Sequence, residues 1–592
     1  MAIVGPSGCG KTTLLKTIAG LNSESGGNLK WEGRDLAEER DFEPWEIGYV
    51  PQFSIAYDEL TVDESIECVT RLRVKTRGEN ELDERIDRVL GETGLEAIAD
   101  RRVSVLSGGQ KRRLGLAMEL VSDPNLLLCD EVTSGLDPRS EREIVHLLHD
   151  LSRKDGRVVI SVTHSLAHLE LYDSILVLHE GRVAYHGPPP LMNHYFGVDD
   201  TEEVYPKLAK QESLKWASSW AKHRPAYYDK LDKRRAEKIK EGSLKVPVSA
   251  RNVLLAAPSS AESSDSEKLK SNEEAQSSKI DDDVITPTSK LVGDDSKEII
   301  IEEPEPTRMP GIFSQFTTLL SRRWRIFARD RGQMALQIAM IIIFPLVISL
   351  FGDHANGAVK RFTAEASADL ESQIVEREAV TANQIKKGSG VSGIIMLEVI
   401  LLGLMASNNS AREIAGERKI MEKEKFGGMR PMAYLASKVG FLACLVLIQS
   451  LVMAMVVEMF WKFEGGFPVH LTFLILINAS MTAICLGISS MMRTPAQSSL
   501  LCLYLVGFQL PLSGAILALP QSIDLLVRPF ISAYWAWSGS ISALNEGVGT
   551  AVRNTVDTSL SDVRLCLFVL LAHLVVGGLV ALVGINRAQW ES

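Results

Sequence analysis

The segment Gly5-Pro6-Ser7-Gly8-Cys9-Gly10-Lys11-Thr12 has the residue types and spacing that hold a polyphosphate. Glycines let successive backbone N–H groups curl around phosphate oxygens. A following helix adds the positive end of its dipole. Lys11 is placed for the β- and γ-phosphates and the Thr12 hydroxyl for Mg²⁺, so Gly5 through Thr13 are the expected nucleotide contacts. Further along, Leu126-Leu-Leu-Cys-Asp130-Glu131 is an apolar run ending in two carboxylates. Asp130 suits Mg²⁺ held through water. Glu131 suits the orientation or deprotonation of the water that attacks a phosphoryl group. One carboxylate at a strand end is commonplace; two downstream of a phosphate loop point to ATP hydrolysis.

Such groups need a strand before the loop and a helix after it, and Met1–Val4 and Thr13–Ala19 read that way. Between the two clusters, Leu106-Ser107-Gly108-Gly109-Gln110 precedes an amphipathic helix that starts Lys111-Arg112-Arg113, which makes a second anion site. Tyr49-Val-Pro-Gln52, Ser134-Gly-Leu-Asp137 and a β-branched strand, Val158–Val162, leading to Thr163-His164 complete an ordered series. In that order the motifs resemble those of ATP-binding cassette (ABC) proteins. The resemblance implies an α/β P-loop NTPase cassette over residues 1–195. It implies Gln52 on Mg²⁺ and the attacking water, and His164 beside the γ-phosphate. It also implies a dimer with two ATP molecules at its interface, where Ser107, Gly108, Gly109 and Gln110 meet the nucleotide held by the other cassette. Two departures stand out. Val132 replaces the usual proline after the glutamate, and the strands and adenine-stacking aromatic that normally precede the phosphate loop have no counterpart, so an N-terminally truncated cassette is expected.

The chain has 592 residues, 45% apolar and 23% charged, and its second half carries most of the long apolar runs. This excludes a purely soluble protein, a fibrous one and a disulfide-stapled secreted one. The net charge of −11 belongs to one place: Pro258–Pro306 holds 14 acidic residues and five lysines. No cysteine pair has CxxC spacing, and the reading is a reduced compartment without disulfides. The N-terminus is not a signal peptide. Residues 196–245 read as a charged helical extension whose Trp216, Trp220, Tyr227 and Tyr228 pack on the cassette, and 246–307 as an acidic disordered linker.

Residues 308–592 read as an all-α transmembrane domain of six helices, at about 333–352, 390–408, 437–458, 471–492, 497–518 and 564–586. Arginines at 322, 323, 325, 329 and 331 and the basic residues of 412–430 put the N-terminal side in the cytoplasm. Lys360, Arg361, Arg377, Lys386 and Lys387 in the first outer loop blur that asymmetry. The charged loop Ser410–Lys438 faces the cassette and is expected to transmit its movement. Pro520–Asp562 is expected to dip back into the membrane. Glu398 and His573 are ionisable groups inside expected spans, candidates either for substrate and proton handling or for bonding between helices.

Cassette first and six spans second resembles the G subfamily of ABC transporters. That resemblance implies a half-transporter with ATP and Mg²⁺ as cofactors. Its partner is a second copy of itself or a related half-transporter. The expected cargo is lipid-like or amphipathic, and no nucleic acid partner is expected. The expected location is a bacterial inner membrane, as a multi-pass protein with a cytoplasmic cassette. The alternative is an ATP-driven mechanotransmitter that regulates a membrane or extracytoplasmic partner without transport.

Overall fold

The computed structural model describes residues 1–36, 41–53, 55–154, 156–240, 309–359, 370–461, 466–515 and 519–588; the expected linker over 246–307 lies outside the described residues.

Strands β1 (Ala2–Val4), β4 (Ile47–Val50), β5 (Leu126–Asp130), β6 (Val158–Val162), β7 (Ile175–His179) and β8 (Arg182–Gly187) form a sheet in the order β4-β5-β6-β1-β7-β8. All its pairings are parallel except β7–β8. β2 (Lys30–Trp31) and β3 (Arg34–Asp35) form a separate antiparallel ribbon. β1, β4 and β5 are buried at every residue, as expected of strands covered by helices on both faces. β1 is an interior strand, flanked by β6 and β7. The phosphate loop that follows it therefore leaves at the carboxyl end of the middle of the sheet, where open α/β sheets bind ligands. Helices α1 (Lys11–Ile18), α2 (Val62–Arg73), α3 (Glu79–Thr93), α4 (Gly108–Leu120) and α5 (Pro138–Lys154) complete this part.

The extension is part of the cassette core. α6 (Met192–Phe196), α7 (Val204–Ala209) and α8 (Ser213–Lys240) bring Phe196, Val204, Leu208, Trp216 and Trp220 into one apolar cluster with Ala2 and Val4. Trp216 and Trp220, four residues apart, share one face of α8. The Trp216 indole N–H donates to the Leu208 carbonyl at 3.2 Å. A boundary at residue 195 thus cuts through a single core.

The second half is helical: α9 (Ile312–Arg329), α10 (Arg331–Val359), α11 (Leu370–Ser410), α12 (Arg418–Phe426), α13 (Pro431–Trp461), α14 (Phe467–Met491), α15 (Pro495–Leu512), α16 (Gln521–Val527), α17 (Ser532–Ser542), α18 (Glu546–Arg553) and α19 (Val563–Arg587). Among the described residues five helical stretches are long and apolar enough to cross a membrane: Arg331–Leu350, Ile385–Phe426, Pro431–Trp461, Phe467–Met491 and Val563–Arg587. Five of the six expected spans fall on these stretches, and the sixth is shorter. The stretch expected at 497–518 is α15, which has 18 residues. At 1.5 Å per residue it is about 27 Å long, short of a hydrocarbon layer of about 30 Å. Gln497 and Gln509 dilute its hydropathy, and Pro511 sits in its last turn. α14 and α19 pack closely through small residues: a Cβ on Gly577 would lie 2.6 Å from the Ala483 carbonyl carbon. α17, from the expected outer segment, is buried along most of its length, Trp537 completely.

Candidate nucleotide site and its seam to the membrane helices

Gly5, Gly8 and Gly10 have φ of 154°, 77° and 99°, and a Cβ on Gly5 would run into the Leu178 carbonyl. Only glycine takes these shapes without strain. Ser7, Gly8 and Thr13 are exposed, whereas Cys9 is buried under the loop. Lys11, the first residue of α1, is buried, and its Nζ donates to the carbonyls of Gly5 at 2.9 Å and Pro6 at 3.1 Å. It also lies 3.2 Å from His164 Nδ1. Lysine can only donate, so Nδ1 accepts, and the imidazole proton sits on Nε2. That nitrogen pairs with Glu131 Oε1. Gln52 Nε2 donates to the other Glu131 oxygen at 2.9 Å. Three sequence-predicted catalytic residues, Gln52, Glu131 and His164, therefore converge with Lys11.

Glu131 has φ of 47°, an uncommon left-handed conformation for a residue with a Cβ. Its N–H donates to the Val162 carbonyl at 3.0 Å, so the turn is fixed by the β5–β6 ladder. The Thr12 hydroxyl donates to Asp130 Oδ1 at 2.9 Å, and the Tyr49 hydroxyl to Oδ2 at 3.1 Å. Burial pushes the Asp130 carboxyl up from its usual range and Glu131 adds to the rise, against the hydrogen bonds from Thr12 and Tyr49. Thr12 and Asp130 thus bring hard oxygen donors together at the loop, a set that fits Mg²⁺.

The structure does not add Ser107–Gln110 to this cluster. Ser107 caps α4: its hydroxyl accepts from Gln110 N–H at 3.3 Å, and the Gln110 side-chain oxygen accepts from Ser107 N–H at 3.0 Å. Ser107 and Gly108 are exposed at the helix tip. Asp137 caps α5 through the N–H groups of Arg139 and Ser140, each at 3.1 Å, and its bonds to Ser140 hold its carboxyl below the usual range.

The loop between the second and third long helices touches the cassette, as its charge pattern predicts. Glu119, on the same helix as the Ser107 motif, accepts from Arg73 at 2.7 and 3.3 Å and lies 3.0 Å from Lys423 of α12. These three side chains are at most 5% exposed. Burial works to raise the Glu119 carboxyl; the Arg73 and Lys423 cations win and hold it below its usual range. Tyr57 donates to Glu417 at 3.0 Å. Arg322 pairs with Glu424, and Arg323 with Glu413 at 2.5 and 2.9 Å. Lys438 reaches Glu417 at 2.6 Å and Glu413 at 3.1 Å. From α9, Arg329 binds Glu64 of α2 at 2.5 and 2.7 Å, and Arg325 binds Glu67 at 2.9 Å. The ring of Tyr49 meets that of Phe426, the last residue of α12, edge-on at 6.4 Å.

Inside the membrane helices, Glu398 is fully buried with one oxygen 3.0 Å from His470 Nε2. His573 Nε2 lies 2.8 Å from the Pro529 carbonyl, and Nδ1 lies 2.8 Å from the Ser532 hydroxyl. A carbonyl only accepts, so Nε2 carries the proton and Nδ1 accepts from Ser532. His573 is thus a tie between α19 and the start of α17. Sequence reasoning missed Tyr49, Tyr57, Glu119 and Tyr205. Glu119 left a trace, as an acid inside the apolar run Leu116–Val121; the tyrosines left none.

Residues 1–134 match the ABC transporter family, and residues 314–534 match the ABC-2 type transporter family. The ATP-binding/permease protein Rv1747 of Mycobacterium tuberculosis is 26% identical over 460 residues, 77% of this chain and 43% of that protein. The broad substrate specificity transporter ABCG2 of Bos taurus is 35% identical over 207 residues, 33% of this chain and 31% of that protein. The sulfate/thiosulfate import protein CysA of Pseudomonas aeruginosa is 33% identical over 192 residues, 32% of this chain and 58% of that protein. The chain spans about half the length of these curated relatives. The long match runs through both halves, and the order of motifs, sheet and membrane helices agrees with it: the chain carries an ABC transporter cassette followed by an ABC-2 type transporter domain.

Proposed function

We propose that this chain is one half of an ATP-driven exporter of a lipid-like or amphipathic substrate, which works as a dimer with a second copy of itself or a related half-transporter. The observation that carries the reading is the convergence of Lys11, Gln52, Asp130, Glu131 and His164 at one end of a sheet tied by Lys423 and Tyr57 to the membrane helices. The phosphates of ATP lie over the N–H groups of Ser7 to Thr13, since the Gly5 N–H is held by the Tyr205 hydroxyl. Lys11 gives up the Gly5 and Pro6 carbonyls for phosphate oxygens. Thr12, Asp130 and Gln52 would hold Mg²⁺, which would supply positive charge against the phosphates. Glu131, released from one of its two donors, takes a proton from water. The water oxygen bonds to the γ-phosphorus, the bond to the bridging oxygen breaks, and ADP leaves. His164 donates from Nε2 to the γ-phosphate. Exposed Ser107 and half-buried Gly109 serve the nucleotide of the partner cassette.

α15 joins the five long helices as a sixth crossing. Near its start Ser498 donates to Ala411 of the cassette-side loop at 2.5 Å, and near its end Gln509 accepts from the N–H of buried Ala533 at 3.0 Å. Six crossings return the chain to the cytoplasmic side. Names of cassette relatives range from sulfate import to phospholipid transport, so the substrate class rests on the membrane half and its long apolar helices.

The test is Mg²⁺-dependent ATPase activity of the full chain in lipid nanodiscs, beside Glu131→Gln. Turnover that vanishes in the variant, with ATP binding retained, supports the reading. Normal hydrolysis by Glu131→Gln overturns the assigned base.

A further inference from the structure

We propose that Tyr205 is a positioning residue of the nucleotide site, which keeps the phosphate loop and the His164 loop in register after Lys11 has turned to phosphate. The proposal rests on the ATPase reading above. Tyr205 lies on α7, 200 residues along the chain from the phosphate loop, yet its hydroxyl accepts from the Gly5 N–H at 3.2 Å and donates to the His164 carbonyl at 3.3 Å. An N–H can only donate and a carbonyl only accept, so the single hydroxyl proton has one possible use.

A second tie joins the same two loops. Lys11 bonds to the Gly5 and Pro6 carbonyls and, through the same Nζ, to His164 Nδ1. The two ties close a ring, but they differ in kind. The Lys11 tie uses the groups that the chemistry needs, and it is lost when the ammonium engages a phosphate. The Tyr205 tie touches only backbone atoms of Gly5 and His164, and a nucleotide does not compete for them.

Tyr205 is itself firmly held. Its neighbours Val204 and Leu208 have no exposure and belong to the aromatic core that contains Trp216 and Trp220. Burial of the ring pushes the phenol up to about 12, so it stays a neutral donor throughout the working pH range. The extension thus supplies the nucleotide site with a fixed post, against which His164 is aimed. Losing that post leaves the phosphates bound by the Ser7–Thr13 amides but lets the imidazole drift from its target. The effect belongs in turnover, not in affinity.

The experiment compares Tyr205→Phe with Tyr195→Phe in full-length protein in nanodiscs. Tyr195 is a neighbour in the same aromatic cluster, whose hydroxyl donates to Ser219 at 3.3 Å. Both changes keep the ring and delete one hydroxyl. The expected result is a loss in kcat of roughly 5- to 30-fold for Tyr205→Phe, the scale of two neutral hydrogen bonds, with KM for ATP within about twofold of wild type. Tyr195→Phe leaves kcat unchanged. Hydrogen exchange of the phosphate-loop peptide, with a non-hydrolysable ATP analogue bound, speeds up in Tyr205→Phe alone. An unchanged kcat, an equal loss in both variants, or unaltered exchange overturns the proposal. Wild-type protein without Glu131-dependent turnover refutes the underlying ATPase reading instead, and is seen before either variant is made.

Discussion

The Arg73–Glu119–Lys423 cluster allows a quantitative test of how the cassette is joined to the membrane helices. It holds two cations and one carboxylate, each nearly excluded from water. Glu119→Gln leaves two like charges buried with no counter-ion. Breaking a buried pair in this way costs about 3–5 kcal/mol. Lys423→Met leaves Arg73 and Glu119 as a neutral pair that keeps both of its hydrogen bonds, so the cost is far smaller. At about 2–4 °C per kcal/mol for a unit of 150–250 residues, Glu119→Gln lowers the unfolding midpoint of the cassette by roughly 6–20 °C. The Lys423→Met midpoint moves by no more than about 4 °C. The asymmetry follows from charge counting, and a simple loss of contacts would make the two variants alike. Thermal unfolding of the purified full chain, with the double variant closing the cycle, measures both shifts and their coupling. Two shifts of equal size, or a Glu119→Gln shift below about 2 °C, would refute the argument.

Acid should erase the difference between wild type and Glu119→Gln. The folded Glu119 carboxyl is held low by Arg73 and Lys423, against an unfolded value of about 4.3. Its contribution is therefore complete above about pH 5 and is lost as pH falls through the folded value. The gap in unfolding midpoint stays constant from pH 7 to 5 and closes below about pH 4; closure already at pH 6 would contradict it. Lys11→Ala removes the one cation bonded within the phosphate loop, and ATP affinity measured by titration falls by at least about tenfold, about 1.4 kcal/mol. His573→Ala unties α19 from the start of α17, at a cost of about 1–3 kcal/mol for bonds left unmade, while basal ATPase activity stays as in wild type. A drop in turnover would return His573 to the list of working residues.

The nucleotide site was legible because its chemistry is written in short contiguous runs. Gly5–Thr12 and Leu126–Glu131 each carry their own strand and turn, which marks Asp130 and Glu131 directly, whereas Gln52 and His164 are marked only by the resemblance that the order of motifs carries. What escaped was made by contacts between distant segments. Tyr205 meets Gly5 across 200 positions, and no local pattern marks it. The extension reads as a charged helix whose aromatics pack on the cassette, and Trp216 and Trp220 do join the core around Ala2 and Val4; its own α7, which carries Tyr205, has no such mark. The membrane helices followed from hydropathy, except α15, where two glutamines and a proline shorten a stretch that composition alone extends. His573 reads either as a working group or as a bond between helices, and it bridges Pro529 and Ser532, which come from a segment that folds back among the helices.

The seam between cassette and membrane helices has a mechanical consequence. It is stitched by the Glu119 cluster, by Tyr57 with Glu417, and by Arg325 and Arg329 of α9 with Glu67 and Glu64 of α2. Sliding the buried part past itself without admitting water separates charges from their partners at about 3–5 kcal/mol per broken pair. Such a seam resists slipping. In the proposed cycle α9, α12 and the cassette therefore swing together as one lever, and the bending falls where charge is sparse, within the apolar helices beyond Arg331.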